Sequence, residues 1–171
     1  MAKQGLEVKF KEYDTLLNEC INQMAIREGQ RVHAHMIKTH YQAPVYLRTR
    51  LIVFYIKCVL LDDARWVLMK CLKGMLFLGL PSFLGTAPNE FTFATVLASC
   101  TSAIGFHFGR QIHCLLVKSP FESHVYVGSS LLDMYAKAGK IHQARHVFDN
   151  LPKRDVVSSQ ATLNRDCLKR H

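Results

Sequence analysis

Gly109-Arg-Gln-Ile-His113 and Val125-Tyr-Val-Gly-Ser-Ser-Leu-Leu-Asp-Met-Tyr-Ala-Lys-Ala-Gly139 decide the fold, because both recur eighty residues upstream. Gly29-Gln-Arg-Val-His33 matches the first phrase. Val45-Tyr46, Leu51, Tyr55 and Lys57 match the second, at Val125-Tyr126, Leu131, Tyr135 and Lys137. The register extends upstream, pairing Thr15, Leu17 and Cys20 with Thr95, Leu97 and Cys100. It extends downstream, pairing Ala64-Arg65 and Val67 with Ala144-Arg145 and Val147. It needs no gap from Tyr13 to Val67, so the chain contains a duplication, the signature of a repeat architecture.

Each copy divides into four short segments with helical apolar spacing. In the first they run from about residue 12 to 24, 27 to 39, 45 to 58 and 61 to 70. In the second they run from about 91 to 102, 108 to 118, 126 to 138 and 141 to 150. Gly139 stands where a helix should stop. Pro44, Pro88 and Pro120 fall between segments, where proline breaks nothing. Helices this short are marginal alone in water. Each hairpin leaves an apolar face for its neighbour to cover, which predicts an all-α, helix-hairpin repeat solenoid resembling tetratricopeptide superhelices. A closed helical bundle is the competing arrangement, but it has no need of duplicated sequence.

Composition narrows function only coarsely. The chain carries 22 Lys and Arg against 13 Asp and Glu, a formal charge of +9 that suits an anionic partner. Its six cysteines form no Cys-x-x-Cys pair, and most sit in apolar helical contexts, as reduced thiols do. No apolar run is long enough to span a bilayer, so no membrane partner is expected. Glu7, Glu12 and Asp14 make the N-terminal stretch unlike a transit peptide. His142 and His146 share a helix face, but no third ligand stands beside them at metal spacing. No metal and no cofactor are expected. No nucleophile elbow, phosphate loop or metalloenzyme motif is present, so catalytic residues are expected to be none. Tyr55, Tyr135 and Trp66 are expected to pack between helices. His33 and His113, which occupy equivalent places in the two copies, are expected to do the same.

The phrases Glu90-Phe-Thr-Phe-Ala-Thr-Val-Leu97, Gly109-Arg-Gln-Ile-His113, Val125 to Gly139, Ala144-Arg-His-Val-Phe148 and Leu151-Pro-Lys-Arg-Asp-Val-Val-Ser158 closely resemble the plant pentatricopeptide repeat family. Within it they resemble the subclass that mixes longer and shorter repeats. The resemblance covers about residues 13 to 67 and 88 to 158. It implies single-stranded organellar RNA as the partner, read one repeat per base, with no DNA expected. It also implies a mitochondrial or plastid location and a role in RNA processing or modification without enzymatic activity of the chain's own. The alternatives are a helical-repeat scaffold that binds another protein, and a degenerate product with no independent function.

In the family's frame a first repeat pair runs over residues 10–75 and a second over 90–155. Between them, 76–89 holds 14 residues where a repeat of this class has about 35. A truncated tail, 156–171, resembles no continuing repeat, and the deaminase-like domain of editing relatives is absent from the chain. The stretch from Leu68 to Ala87 is therefore expected to be an irregular joint.

The resemblance also assigns reading positions, one early in the first helix of a motif and one at its end. These are Ser129 with Asp155, Ala94 with His124, Thr49 in the first short motif, and Asp14 in the first long motif, which closes on Pro44. A small hydroxyl with Asp favours guanine in the family, and Ser with Asp can donate and accept accordingly. Ser129 is equally readable as a local helix cap. Ala94 offers no side-chain hydrogen bond. Arg31, Lys38, Lys57, Arg110, Lys118 and Lys137 are the candidate phosphate contacts, which give affinity without base information. They are equally readable as ordinary solvated helix faces.

Overall fold

The computed structural model describes residues 2–76, 88–117, 119, 121 and 124–151. Those residues form eight helices: α1 Ala2–Gln23, α2 Ile26–Lys38, α3 Val45–Lys57, α4 Leu61–Leu76, α5 Glu90–Ser99, α6 Ala103–Leu116, α7 Val125–Lys137 and α8 Ile141–Asp149. No strand occurs among the described residues. The fold is the expected all-α helix-hairpin repeat. It comprises two compact units, residues 1–88 and 89–171, each holding one copy of the duplication.

Within each unit the first helices of successive hairpins pack together, α1 on α3 and α5 on α7. Each also contacts its own hairpin partner. The first unit's core centres on Leu17, Leu47, Ile52 and Phe54, all fully buried. The second unit's core centres on Phe93, Val96, Leu97, Ile112 and Met134. Each such side chain contributes roughly 1.5–3 kcal/mol by leaving water, which is how helices of 9 to 22 residues persist.

The repeated glycine of the Gly29 and Gly109 phrases has a packing cause. A Cβ at Gly29 would collide with the ring of Phe54 on α3. A Cβ at Gly109 would collide with Met134 Sδ on α7. Phe54 and Met134 are themselves eighty residues apart. In each copy a large side chain of the next hairpin therefore rests directly on bare second-helix backbone.

A second repeated contact ties the same helices. His33 Nδ1 and Tyr55 Oη lie 2.7 Å apart, and His113 Nδ1 and Tyr135 Oη lie 2.9 Å apart. Both tyrosines are buried, so they serve helix packing, and both histidines are their partners. Desolvation is the main force holding the His33 pKa below its ordinary value. Asp63 opposes that shift and Lys70 adds to it. Trp66 departs from expectation: the residue is 47% exposed, with Lys70 Nζ 3.9 Å from its ring centroid.

Two helix boundaries also differ from expectation. α1 begins at Ala2 rather than near residue 12, through a proline-free stretch that includes Lys3, Leu6, Glu7, Lys9 and Lys11, all good helix formers. α4 continues through Leu76, so residues 68–76 are regular helix and not an irregular joint. The buried Leu68, Cys71 and Leu72 extend its apolar face. The second copy has Leu151-Pro152 where the first has Cys71-Leu72. Proline disfavours helix at the residue before it, and α8 stops at Asp149. The remainder of the expected joint, 77–87, and the tail 156–171 lie outside the described residues.

The turns after α3 and α7 share one hydrogen-bond pattern. Leu60 N donates to Tyr55 O and Val59 N to Ile56 O. In the second copy Lys140 N donates to Tyr135 O and Gly139 N to Ala136 O. This double closure needs a left-handed residue at the turn. Gly139 adopts it at φ 70° and the equivalent Val59 at φ 63°. A β-branched residue is strained there, by about 1–2 kcal/mol, and glycine returns about 0.5–1 kcal/mol of that as chain entropy. Val59→Gly is expected to raise stability by about 1 kcal/mol. Gly139→Val should lower it by a similar amount, both read from urea unfolding midpoints. A midpoint for Val59→Gly below that of wild type, the entropic cost of glycine alone, would show that no strain is held at this turn.

Candidate nucleic-acid interface

The four candidate reading residues all fall on first helices: Asp14 on α1, Thr49 on α3, Ala94 on α5 and Ser129 on α7. Since α1 packs on α3 and α5 on α7, each unit brings two of them onto neighbouring helices. Their surroundings differ. Asp14 Oδ1 lies 3.5 Å from Arg50 Nε. Both atoms are buried, and neither completes a hydrogen bond among the described residues, so the two charges are apposed without good geometry. Thr49 is 8% exposed, and its hydroxyl donates to Val45 O at 2.8 Å. Ala94 and Ser129 are half-buried.

Ser129 is the fifth residue of α7, and the N-cap is His124. Ser129 is therefore not a cap, and its hydroxyl has no hydrogen-bond partner among the described residues. The helix that positions Ala94 is fixed by a capping box, in which Asn89 Oδ1 accepts from Thr92 N at 2.9 Å and Thr92 Oγ1 accepts from Asn89 N at 3.4 Å.

His124 stands at the mouth of α7 with no side-chain capping bond. Its ring stacks on Tyr126 at 5.8 Å and 25°, and its buried Nδ1 has no hydrogen-bond partner among the described residues. Asp155, the intended partner of Ser129, lies outside the described residues, as does Lys118.

Of the described phosphate candidates, Arg31, Lys38 and Arg110 lie on the second helices α2 and α6. Lys57 and Lys137 close the first helices α3 and α7. All five are exposed. Lys137 Nζ donates to Asp133 Oδ2 at 2.7 Å, one helical turn earlier. Valine stands at the equivalent place, 53, before Lys57. Thr49 and Lys57 are separated by roughly 12 Å along α3 at 1.5 Å per residue, so the lysines do not stand beside the reading positions.

Sequence reasoning missed the aromatics beside those positions. Tyr46 and Tyr126 lie three residues before Thr49 and Ser129, on the same helix face, and are 49% and 58% exposed. Each meets a phenylalanine from the preceding first helix, Phe10 with Tyr46 at 5.9 Å and Phe91 with Tyr126 at 5.5 Å. The Arg50 guanidinium lies 5.6 Å from the Tyr46 centroid. The signal was present in the recurrence of Val45-Tyr46 at Val125-Tyr126.

A putative mitochondrial pentatricopeptide repeat-containing protein of Arabidopsis thaliana is 50% identical over 184 aligned positions, which take in 95% of this chain. The chain is homologous to the plant pentatricopeptide repeat proteins. A chloroplastic pentatricopeptide repeat-containing protein of the same plant is 34% identical over 84% of the chain, and a third is 32% identical over 85%. The chain spans 29%, 26% and 23% of the lengths of these three relatives. No family model matches the chain. In pentatricopeptide terms, α1, α3, α5 and α7 are the first helices of four hairpins, and α2, α4, α6 and α8 are their second helices. Among the described residues no helix is long and apolar enough to cross a membrane, and no three metal-ligating side chains converge.

Proposed function

We propose that the chain binds single-stranded RNA across the first helices of its pentatricopeptide hairpins, as a non-catalytic module of organellar RNA processing or modification. The observation that carries this reading is the repetition, on two pairs of neighbouring first helices, of an exposed tyrosine one turn before a candidate base-reading position. Aromatic faces accept any base, and the net charge of +9 attracts the phosphates. Ser129 is half-buried and keeps its hydroxyl unbonded among the described residues, with Asp155 as its intended partner. Ala94 lacks a polar group, Thr49 is turned into its own helix, and Asp14 faces Arg50. Base discrimination is accordingly weak.

The chain belongs, in this reading, to the subclass with mixed long and short repeats. Names of relatives that include mitochondrial and chloroplastic proteins support an organellar location. The alignment with the mitochondrial relative spans 184 positions, more than the 171 residues of the chain. The relative therefore has residues without a counterpart here, and we assign them to the shortened middle motif at 76–89.

Filter binding at low salt tests the reading. The folded chain should retain a uridine-rich oligonucleotide, and Tyr126→Ala should weaken retention about fivefold or more, since one stacked base contributes about 1–3 kcal/mol. A folded chain that retains no RNA at low salt contradicts the proposal. So does a Tyr126→Ala variant that binds as wild type.

A further inference from the structure

The two copies differ at a pair of positions that face each other across one space. In the second copy, Leu151 lies against bare backbone at Gly128, where any Cβ would collide with it. Eighty residues earlier, Gly128 is replaced by Arg48 and Leu151 by Cys71. The leucine plug is thus missing from the first unit, and an open cleft of about 490 Å³ lies between α2, α3 and α4. Its floor includes the buried Met36, Leu51 and Val67. Its walls include Arg48, Lys70, Trp66 and His33, and among the described residues no carboxylate lines it. Arg48 and Cys71, the counterparts of Gly128 and Leu151, both line the cleft.

We propose that this cleft docks an acidic peptide segment of a partner protein. The segment inserts one leucine-like side chain onto Leu51 and Val67 and sets its carboxylates against Arg48 and Lys70. The apolar insert follows from the second copy, where the chain's own Leu151 seats against Gly128, the counterpart of Arg48. The acidic flanks follow from charge complementarity with Arg48 and Lys70, since no Asp or Glu stands among the described lining residues. A nucleobase suits the site less well. Lys70 Nζ covers one approach to Trp66 at 3.9 Å, and His33 meets the same ring edge-on at 5.9 Å.

Trp66 is the chain's single tryptophan, so its emission reports the cleft directly. The probe is a blocked pentapeptide with one leucine between two pairs of glutamates. Titrated into the full chain, it should give a saturable blue shift as Trp66 loses solvent. The same peptide with lysines for glutamates should give none. Calorimetry reads the variants. Arg48→Gly with Cys71→Leu, which rebuilds the second copy's plug, should weaken binding about tenfold or more. So should Lys70→Glu, a surface change that leaves the core untouched. The proposal is overturned if the acidic peptide produces no shift, or if the lysine peptide matches it. Unchanged binding by folded Lys70→Glu also overturns it. A uridine oligonucleotide that saturates the shift and is not displaced by the peptide would reassign the cleft to nucleic acid.

Discussion

Phe54→Ala is expected to cost about 3–5 kcal/mol, the usual range for emptying a fully buried aromatic site. That is a large share of the stability of an ordinary domain. Phe54 is 0% exposed, and its ring lies against the backbone of α2 at Gly29. The same contact makes Gly29→Ala an informative partner. On an exposed helix that change gains about 1 kcal/mol. Here the new methyl meets the Phe54 ring, and overpacking costs about 1–3 kcal/mol, so the single variant should be neutral to destabilising. With Phe54→Ala already in place, the methyl enters vacated space and Gly29→Ala should become stabilising. Denaturant unfolding of the four-member cycle checks this. An effect of Gly29→Ala that is the same in both backgrounds would mean that ring and glycine do not touch.

The second large effect is on RNA affinity. Single-stranded nucleic acid loses affinity with salt at a slope of about −0.7 per phosphate neutralised. The described, exposed candidates Arg31, Lys38, Lys57, Arg110 and Lys137 would set that slope, with Lys137 reduced by its bond to Asp133. Four to five effective contacts predict about a 100-fold loss when salt rises fourfold. Lys57→Ala should flatten the slope more than Lys137→Ala, because the latter lysine is already held by a carboxylate.

The eighty-residue register made the hairpins legible, because apolar spacing and recurring glycine, histidine and tyrosine all describe one repeated contact. Tyr55 and Tyr135 were readable as packing residues for that reason. Other features depend on neighbours that no local pattern reveals. Asp14 reads as an available carboxylate until Arg50 is seen 3.5 Å away on the adjacent helix. Thr49 reads as a presented hydroxyl until its bond to Val45 O is seen. Ser129 remained open between cap and reader, and its depth in α7 removes the cap. The cleft of the first unit was hidden in a pair of substitutions, Gly128 to Arg48 and Leu151 to Cys71, whose joint effect appears only when the two side chains share a space. The run-on of α4 to Leu76 followed from a proline missing at 72, whereas the sequence suggested only a broken motif there.

The central claim is that phosphate attraction, and not base reading, dominates RNA binding by this chain. One good base contact contributes about 1–3 kcal/mol, and Ser129 is the reader with the fewest competing contacts. The decisive measurement titrates the chain with homopolymer and guanine-containing oligonucleotides at low salt and at fourfold higher salt, and repeats the set with Ser129→Asn. By the family's pattern, asparagine with a closing aspartate is expected to favour uracil at a working site. The account predicts that salt changes affinity by about 100-fold, while oligonucleotide sequence and Ser129→Asn each change it by less than about tenfold. A tight, sequence-selective complex that survives the higher salt, with its preference switched by Ser129→Asn, would contradict it.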